Sequence, residues 1–196
     1  MRSLHVLMAI VSVALCIGGT PVEILQTSDG RRIAVLPAEA SPELVRKLLL
    51  GEEADPRQVA TGATPAAPLV DAVQFGGLGA VLFAFDSAEL GPHGEETLKQ
   101  ICIVFRDASF HSVRVLLTGH TDAVGAARYN LLLSRARAEA AARVLARCLG
   151  KGRVSHLGRG ESEHIEGVAP TDARQRRVEV SVLPERLELP ERRSVR

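Results

Sequence analysis

In the second half of the chain, apolar residues recur with two different periods, and the switches between them mark out the elements. Ala80–Phe85 is a short continuous apolar run ending at Asp86, the pattern of a buried strand. Leu98, Ile101, Cys102 and Phe105 recur at helical spacing and predict a helix over Glu95–Ala108. Val113–Leu117 predicts a second strand, closed by Thr118-Gly119-His120. Leu133–Leu149 places Ala138, Ala141, Leu145 and Cys148 on one helical face, and Gly150 supplies a stop. Val154–Leu157 is a brief strand, and Val178–Val182 alternates strictly, as a half-exposed strand does. The order β-α-β-α-β-β predicts an α+β fold: a two-layer sandwich with two helices packed on one face of a four-stranded mixed sheet.

The first half is patterned less regularly. Val22–Leu36 holds two apolar stretches around Ser28-Asp29-Gly30, the signal of a hairpin. Pro42–Leu50 has helical spacing at Val45, Leu48 and Leu49, with Ser41 as N-cap. This piece is too small to bury a core alone, so a docking element for a partner and an ordered extension of the main domain are both open. Leu4–Ile17 is an apolar run after Arg2 and before Gly18-Gly19-Thr20, which reads as an export signal, with an uncleaved membrane anchor as the alternative. Val13-Ala14-Leu15-Cys16 partly resembles a lipobox, but Leu15 stands where that pattern wants a small residue, so Cys16 reads as an apolar position of the signal, with lipidation as the alternative. The expected organisation is a signal or anchor over 1–19, a small element over 20–50, a linker over 51–71, the main domain over 72–184 and a solvated tail over 185–196.

Composition narrows the function classes. A formal charge of +1 and 3% aromatic residues, with no Trp, supply neither a phosphate-binding face nor base-stacking platforms, so nucleic acid is not an expected partner. The stretch before the domain is too short for the strands of a membrane barrel. Any membrane contact therefore runs through the N-terminus. Cys102 and Cys148 have no neighbours at metal-ligand spacing, and no metal or cofactor is expected. Both lie on apolar helical stripes, where they form either a disulfide in an oxidising compartment or two small buried positions.

The informative chemistry lies in Gly119-His120-Thr121-Asp122-Ala123-Val124-Gly125, Tyr129-Asn130 and Leu133-Ser134-Arg135-Ala136-Arg137-Ala138. A carboxylate sits just past a strand end, in a loop tightened by two glycines, and Arg137 follows in the next helix, with Ser134 as an N-cap candidate unless that helix starts nearer Asn130. On one sheet edge, Asp122 and Arg137 would offer one negative and one positive group to a ligand carrying both an ammonium and a carboxylate. Pairing of Asp122 with Arg137 is the alternative.

These motifs resemble the OmpA-like domain, the family of the OmpA C-terminal region, peptidoglycan-associated lipoprotein and flagellar stator B subunits. Gly119–Asp122, Gly125, Asn130, Leu133-Ser134 and Arg137-Ala138 follow its central pattern in order. Phe85-Asp86-Ser87-Ala88, Gly158-Arg159-Gly160-Glu161 and Gln175-Arg176-Arg177-Val178-Glu179 are similar to its flanking motifs. The resemblance implies a non-catalytic periplasmic module of a Gram-negative bacterium. In such a module Asp122 takes the ammonium and Arg137 the carboxylate of a diaminopimelate in the peptidoglycan stem peptide. Asn130 is then a polar wall, Arg176 a second carboxylate contact, and Thr121, Asp86 and Ser87 line the rim. His120 is a structural hydrogen bonder rather than a catalyst. Gln175 stands where the family has Asn, and Glu161 lacks its following Pro, which puts the last connection of the domain in question. An alternative function is a wall-attached subunit of a larger secretion or motility assembly, with envelope proteins docking through 22–50. A hydrolase using His120 and Asp122 is the third class.

Overall fold

From residue 72 onward the expected element order is present: β4 (Ala72–Phe75), α2 (Pro92–Phe105), β5 (Arg114–His120), α3 (Ala127–Leu149), β6 (Val154–Gly160) and β7 (Val178–Leu183). The structure, a computed structural model, describes residues 13–17, 20–37, 40–51, 68–75, 83, 86–111 and 113–183. Upstream are β1 (Val13–Ile17), β2 (Thr20–Gln26), β3 (Arg32–Leu36) and α1 (Pro42–Leu50). Among the described residues seven strands form one mixed sheet in the order β1-β2-β3-β4-β7-β5-β6. The fold is α+β as expected, and the sheet is three strands wider than four.

The widening comes from the N-terminal segment. Its hairpin turns at Gly30, whose φ of +83° suits glycine, and Gly30 N–H donates to the Thr27 carbonyl at 2.8 Å. β3 then pairs in parallel with β4, so the hairpin continues the main sheet. α1 is capped by the Ser41 hydroxyl, which accepts from Leu44 N–H at 3.2 Å, and it buries Leu44, Val45, Leu48 and Leu49. These side chains join Leu98, Phe105, Phe110, Leu117, Leu145 and Val180 in one core between helices and sheet. Most of the expected signal, residues 1–12, lies outside the described residues, and so do 52–67 of the linker and the tail from 184. Val13–Ile17, the end of the apolar run, forms the edge strand, with Cys16 opposite Pro21.

Three sequence expectations are corrected, and a fourth lies mostly outside the described residues. The strand foreseen at Ala80–Phe85 falls mostly on residues outside the description. Phe83 makes an isolated bridge to Leu90, and the strand paired into the sheet is β4. α2 spans Pro92–Phe105, one turn earlier than expected, because Pro92 fits the first helical turn. α3 begins at Ala127, so Ser134 is inside the helix rather than at its N-cap. β7 is not half-exposed: Glu179 and Ser181 are buried along with Val178 and Val180, because the N-terminal hairpin and the β6–β7 connection cover the second face.

α3 lies unusually close to the sheet. A Cβ added at Gly119 would stand 2.2 Å from the Ser134 carbonyl oxygen, and one at Gly158 would stand 2.4 Å from the Arg135 nitrogen. The motif glycines therefore set the distance between helix and strands. Ser134, buried in that contact, accepts from Gly160 N–H at 2.8 Å and donates to the Leu131 carbonyl at 2.9 Å. The described cysteines of α2 and α3, Cys102 and Cys148, are joined by a disulfide with Cα atoms 6.3 Å apart.

Candidate functional site

β5 ends at His120, and the chain turns through Thr121–Gly125 into α3. Backbone bonds fix this loop from both sides. Thr121 N–H donates to the Gly160 carbonyl at 2.9 Å, and Ala123 N–H to the Pro170 carbonyl at 2.8 Å. Asn130 adds a third tie, since its amide donates to the Asp122 and Val124 carbonyls at 3.3 and 3.2 Å and also to the Glu161 carboxylate. Asn130, expected as a polar wall, is thus also the fastener of the loop. Glu161 is a supporting residue that the motif contained but the expectations did not use.

Asp86, Thr121, Asp122, Asn130, Arg137 and Arg176 line one small cleft, together with Tyr129, Val124 and Leu133. Asp122 is 5% exposed; its Oδ1 accepts from Val124 N–H at 3.2 Å and its Oδ2 pairs with Arg176 Nη1 at 2.6 Å. Arg137 is 2% exposed, with Nε donating to the Ser87 carbonyl at 2.9 Å and the guanidinium carbon 5.6 Å from the centre of the Phe83 ring. Burial first, and then the Arg176 charge, pull the Arg137 pKa below its ordinary value, while Asp122 and Asp86 push it back. Ser87 contributes through its carbonyl; its hydroxyl accepts from Glu89 N–H at 3.0 Å. Asp86 has a left-handed φ of 56° at the rim, and Tyr129 Oη donates to its carboxylate. Tyr129 was part of the quoted stretch yet carried no assigned role. Thr121 Oγ1 and Arg176 Nε are buried and lack a hydrogen-bond partner among the described residues.

Behind the cleft, His120 is fully buried with Nε2 at 3.1 Å from Glu179 Oε1. Burial dominates and lowers the His120 pKa, so the imidazole is neutral at pH 7. Burial alone would raise the Glu179 carboxyl, but the surrounding positive charges outweigh it and hold the group below the usual carboxylate range. With His120 neutral, those charges are Arg177 and Arg31, whose guanidinium nitrogens lie 2.6 and 3.1 Å from the carboxylate. Gln175 shapes the connection that carries Arg176. It accepts from Ile165 N–H at 2.9 Å and donates to the Ile165, Val168 and Ala169 carbonyls at 3.4, 3.2 and 3.4 Å. Its length relative to Asn is what lets one side chain span the loop.

Residues 82–177 match the sequence profile of the OmpA family. This segment is an OmpA-family domain. The chain is 30% identical over 97 residues to outer membrane protein A of Shimwellia blattae, covering 49% of this chain and 40% of that protein. It is 34% identical over 106 residues to outer membrane porin F of Pseudomonas aeruginosa, covering 52% and 30%. The matches therefore span well under two thirds of these relatives' own length. Among solved structures, the OmpA-family domain is similar to the cell wall anchor of the T6SS from Pseudomonas aeruginosa (33% identity, TM-score 0.44, 52% of this chain and 74% of that one). It is also similar to the peptidoglycan-associated lipoprotein from Burkholderia pseudomallei (26% identity, TM-score 0.45, 52% and 87%). No helix among the described residues is long and apolar enough to cross a membrane.

Proposed function

We propose that this OmpA-family domain binds the peptide stems of peptidoglycan through a residue bearing both an ammonium and a carboxylate, diaminopimelate, and so ties envelope components to the cell wall. The observation that carries the reading is the convergence of Asp122, Arg137 and Arg176 on one cleft at the end of β5. In it Asp122 receives the ammonium, Arg137 the carboxylate, and Arg176 a second carboxylate of the peptide. Thr121 Oγ1 and Arg176 Nε, buried and unpartnered among the described residues, offer the further hydrogen bonds that buried polar atoms require. The cleft is small, about 30 Å³, and the Asp122 Oδ2 facing it is already taken by Arg176 Nη1 at 2.6 Å. An entering ammonium must therefore take the place of Arg176 at Asp122.

The reading is non-catalytic. His120, the one imidazole in the motif, is sealed behind the cleft against Glu179 and offers no atom to a ligand. It also places the chain in the periplasm, with an export signal or anchor over 1–19 and with the Cys102–Cys148 bond suited to an oxidising compartment. Cleavage after residue 19 would remove β1 and leave β2 as the sheet edge.

Amide-detected NMR titration with a soluble diaminopimelate stem peptide tests the proposal. Shifts confined to Gly119–Gly125, Asn130, Arg137 and Arg176 are expected. A matched lysine-type peptide, which lacks the second carboxylate, is expected to bind more weakly. Absence of shifts at saturating diaminopimelate peptide overturns the reading.

A further inference from the structure

The residues that place Arg176 in the cleft belong to the β6–β7 connection, and this connection rests on the N-terminal hairpin rather than on the helices. Thr27 bridges Ile165, Ser28 N–H donates to the His164 carbonyl at 2.9 Å, and Glu166 N–H donates to the Gln26 carbonyl at 2.8 Å. Leu25 and Val35 of the hairpin form a separate buried cluster with Ile165 and Val168 of the connection. One hairpin side chain reaches further. Arg31, just after the turn, has Nη1 at 3.4 Å from Glu163 Oε2 and Nη2 at 3.1 Å from Glu179 Oε2. Glu179 in turn holds Arg177 at 2.6 Å, Arg177 donates to the Glu163 carbonyl at 3.1 Å, and the Arg177 carbonyl accepts from His120 N–H at 2.9 Å. Arg176 and Arg177 are neighbours, so the ion pairs on one side of the sheet fix the backbone from which Arg176 reaches Asp122 on the other.

From this we infer that the 20–36 hairpin is a built-in strut for the ligand site, and that Arg31 is a positioning residue that sets where Arg176 stands. A carboxylate as buried as Glu179 requires its charges to be matched, and Arg31 is the one of its two arginines that comes from outside the β6–β7 segment. The same guanidinium spans Glu163 and Glu179, so it fixes the start of the connection relative to its end. Ion pairing on the sheet is thereby converted into a defined loop geometry at the cleft. The inference deepens the stem-peptide reading and rests on it for its binding arm.

The test uses the full chain with Arg31→Ala, Arg31→Lys and Glu163→Gln, read by hydrogen exchange and by binding to diaminopimelate-type sacculi. Residues that act on a site through others shift its coupling by roughly 0.5–2 kcal/mol, so Arg31→Ala should weaken sacculus binding about 2- to 30-fold. Exchange should accelerate in 161–177 while α3 and β5 stay as protected as in the wild type, and Arg31→Lys should fall between the two. Glu163→Gln removes the Arg31–Glu163 ion pair, together with the Arg159–Glu163 pair at 3.0 Å, while leaving the Glu179 charge matched, and it carries the test if Arg31→Ala fails to fold. Unchanged exchange in 161–177 in folded variants overturns the strut. So does accelerated exchange with unaltered sacculus binding. If wild-type protein does not bind sacculi, the stem-peptide reading fails, and the exchange comparison alone decides whether the hairpin holds the loop.

Discussion

Arg176 holds the Asp122 carboxylate at 2.6 Å across the mouth of the cleft. Arg137, deeper and almost fully buried, is oriented instead by the Ser87 carbonyl at 2.9 Å. The proposed ammonium site is thus occupied by a guanidinium of the protein itself, and ligand entry exchanges one cation for another on the same carboxylate. Such an exchange largely preserves charge compensation at Asp122. It also frees Arg176 to meet a peptide carboxylate.

Arg176 therefore both competes with and assists the ligand. Replacing it with Gln should change stem-peptide affinity by no more than about tenfold, roughly 1.4 kcal/mol. Asp122→Asn and Arg137→Ala should each reduce affinity further than that. Isothermal titration of the three folded variants with the same peptide checks the ranking.

Gly119 has no room for a side chain, since a Cβ there meets the Ser134 carbonyl at 2.2 Å. Gly119→Ala should lower stability by about 3 kcal/mol, the upper part of the usual range for overpacking, because the clash is with helix backbone rather than a mobile side chain. Gly152→Ala, where a Cβ meets nothing within 4 Å, should stay within about 0.5 kcal/mol of wild type. Urea unfolding of both proteins measures the difference.

The Cys102–Cys148 disulfide joins α2 to α3 across 46 positions of sequence. Closing a loop of that size restricts the unfolded chain, and its reduction should cost about 2–4 kcal/mol. Paired unfolding curves with and without reductant, alongside Cys102→Ser/Cys148→Ser, give the value.

Acidification should destabilise the fold in two stages. The folded His120 pKa lies below its ordinary 6.5, so below that pH the unfolded chain takes up a proton that the native state resists. Stability from the neutral imidazole is complete above pH 6.5 and is lost as the pH falls toward the folded pKa. The folded Glu179 pKa is also depressed, below an ordinary 4.5, so its contribution is present above that value and lost below it. Thermal unfolding followed from pH 8 to pH 3 should show a decline beginning near 6.5, and His120→Gln should remove the first stage.

Part of the cleft was legible because Thr121, Asp122 and Asn130 lie in short motifs at the end of β5 and the start of α3, where loop and helix position follow from local sequence. Asp86 and Arg176 come from separate segments. Asp86, Thr121, Asp122, Asn130, Arg137 and Arg176 line the cleft, whereas Ser87 contributes its carbonyl to Arg137. Partnering was not legible. Whether Asp122 pairs with Arg137 or Arg176 depends on the course of the β6–β7 connection, which the departures at Gln175 and after Glu161 left open. The alternation of Val178–Val182 misled for a similar reason. A polar residue on a strand signals exposure unless distant charges cover it, and Arg31, more than a hundred positions upstream, is what covers Glu179. The extent of the sheet depended on the hairpin joining β4 in parallel, a long-range pairing that local pattern does not encode.

Co-sedimentation of the protein with purified diaminopimelate-type sacculi, beside Asp122→Asn and Arg137→Ala variants shown to be folded, tests the central claim most directly. The account predicts that wild type pellets with the wall while both variants remain in solution. Folded wild-type protein that stays in the supernatant, or variants that pellet as fully as wild type, would contradict it.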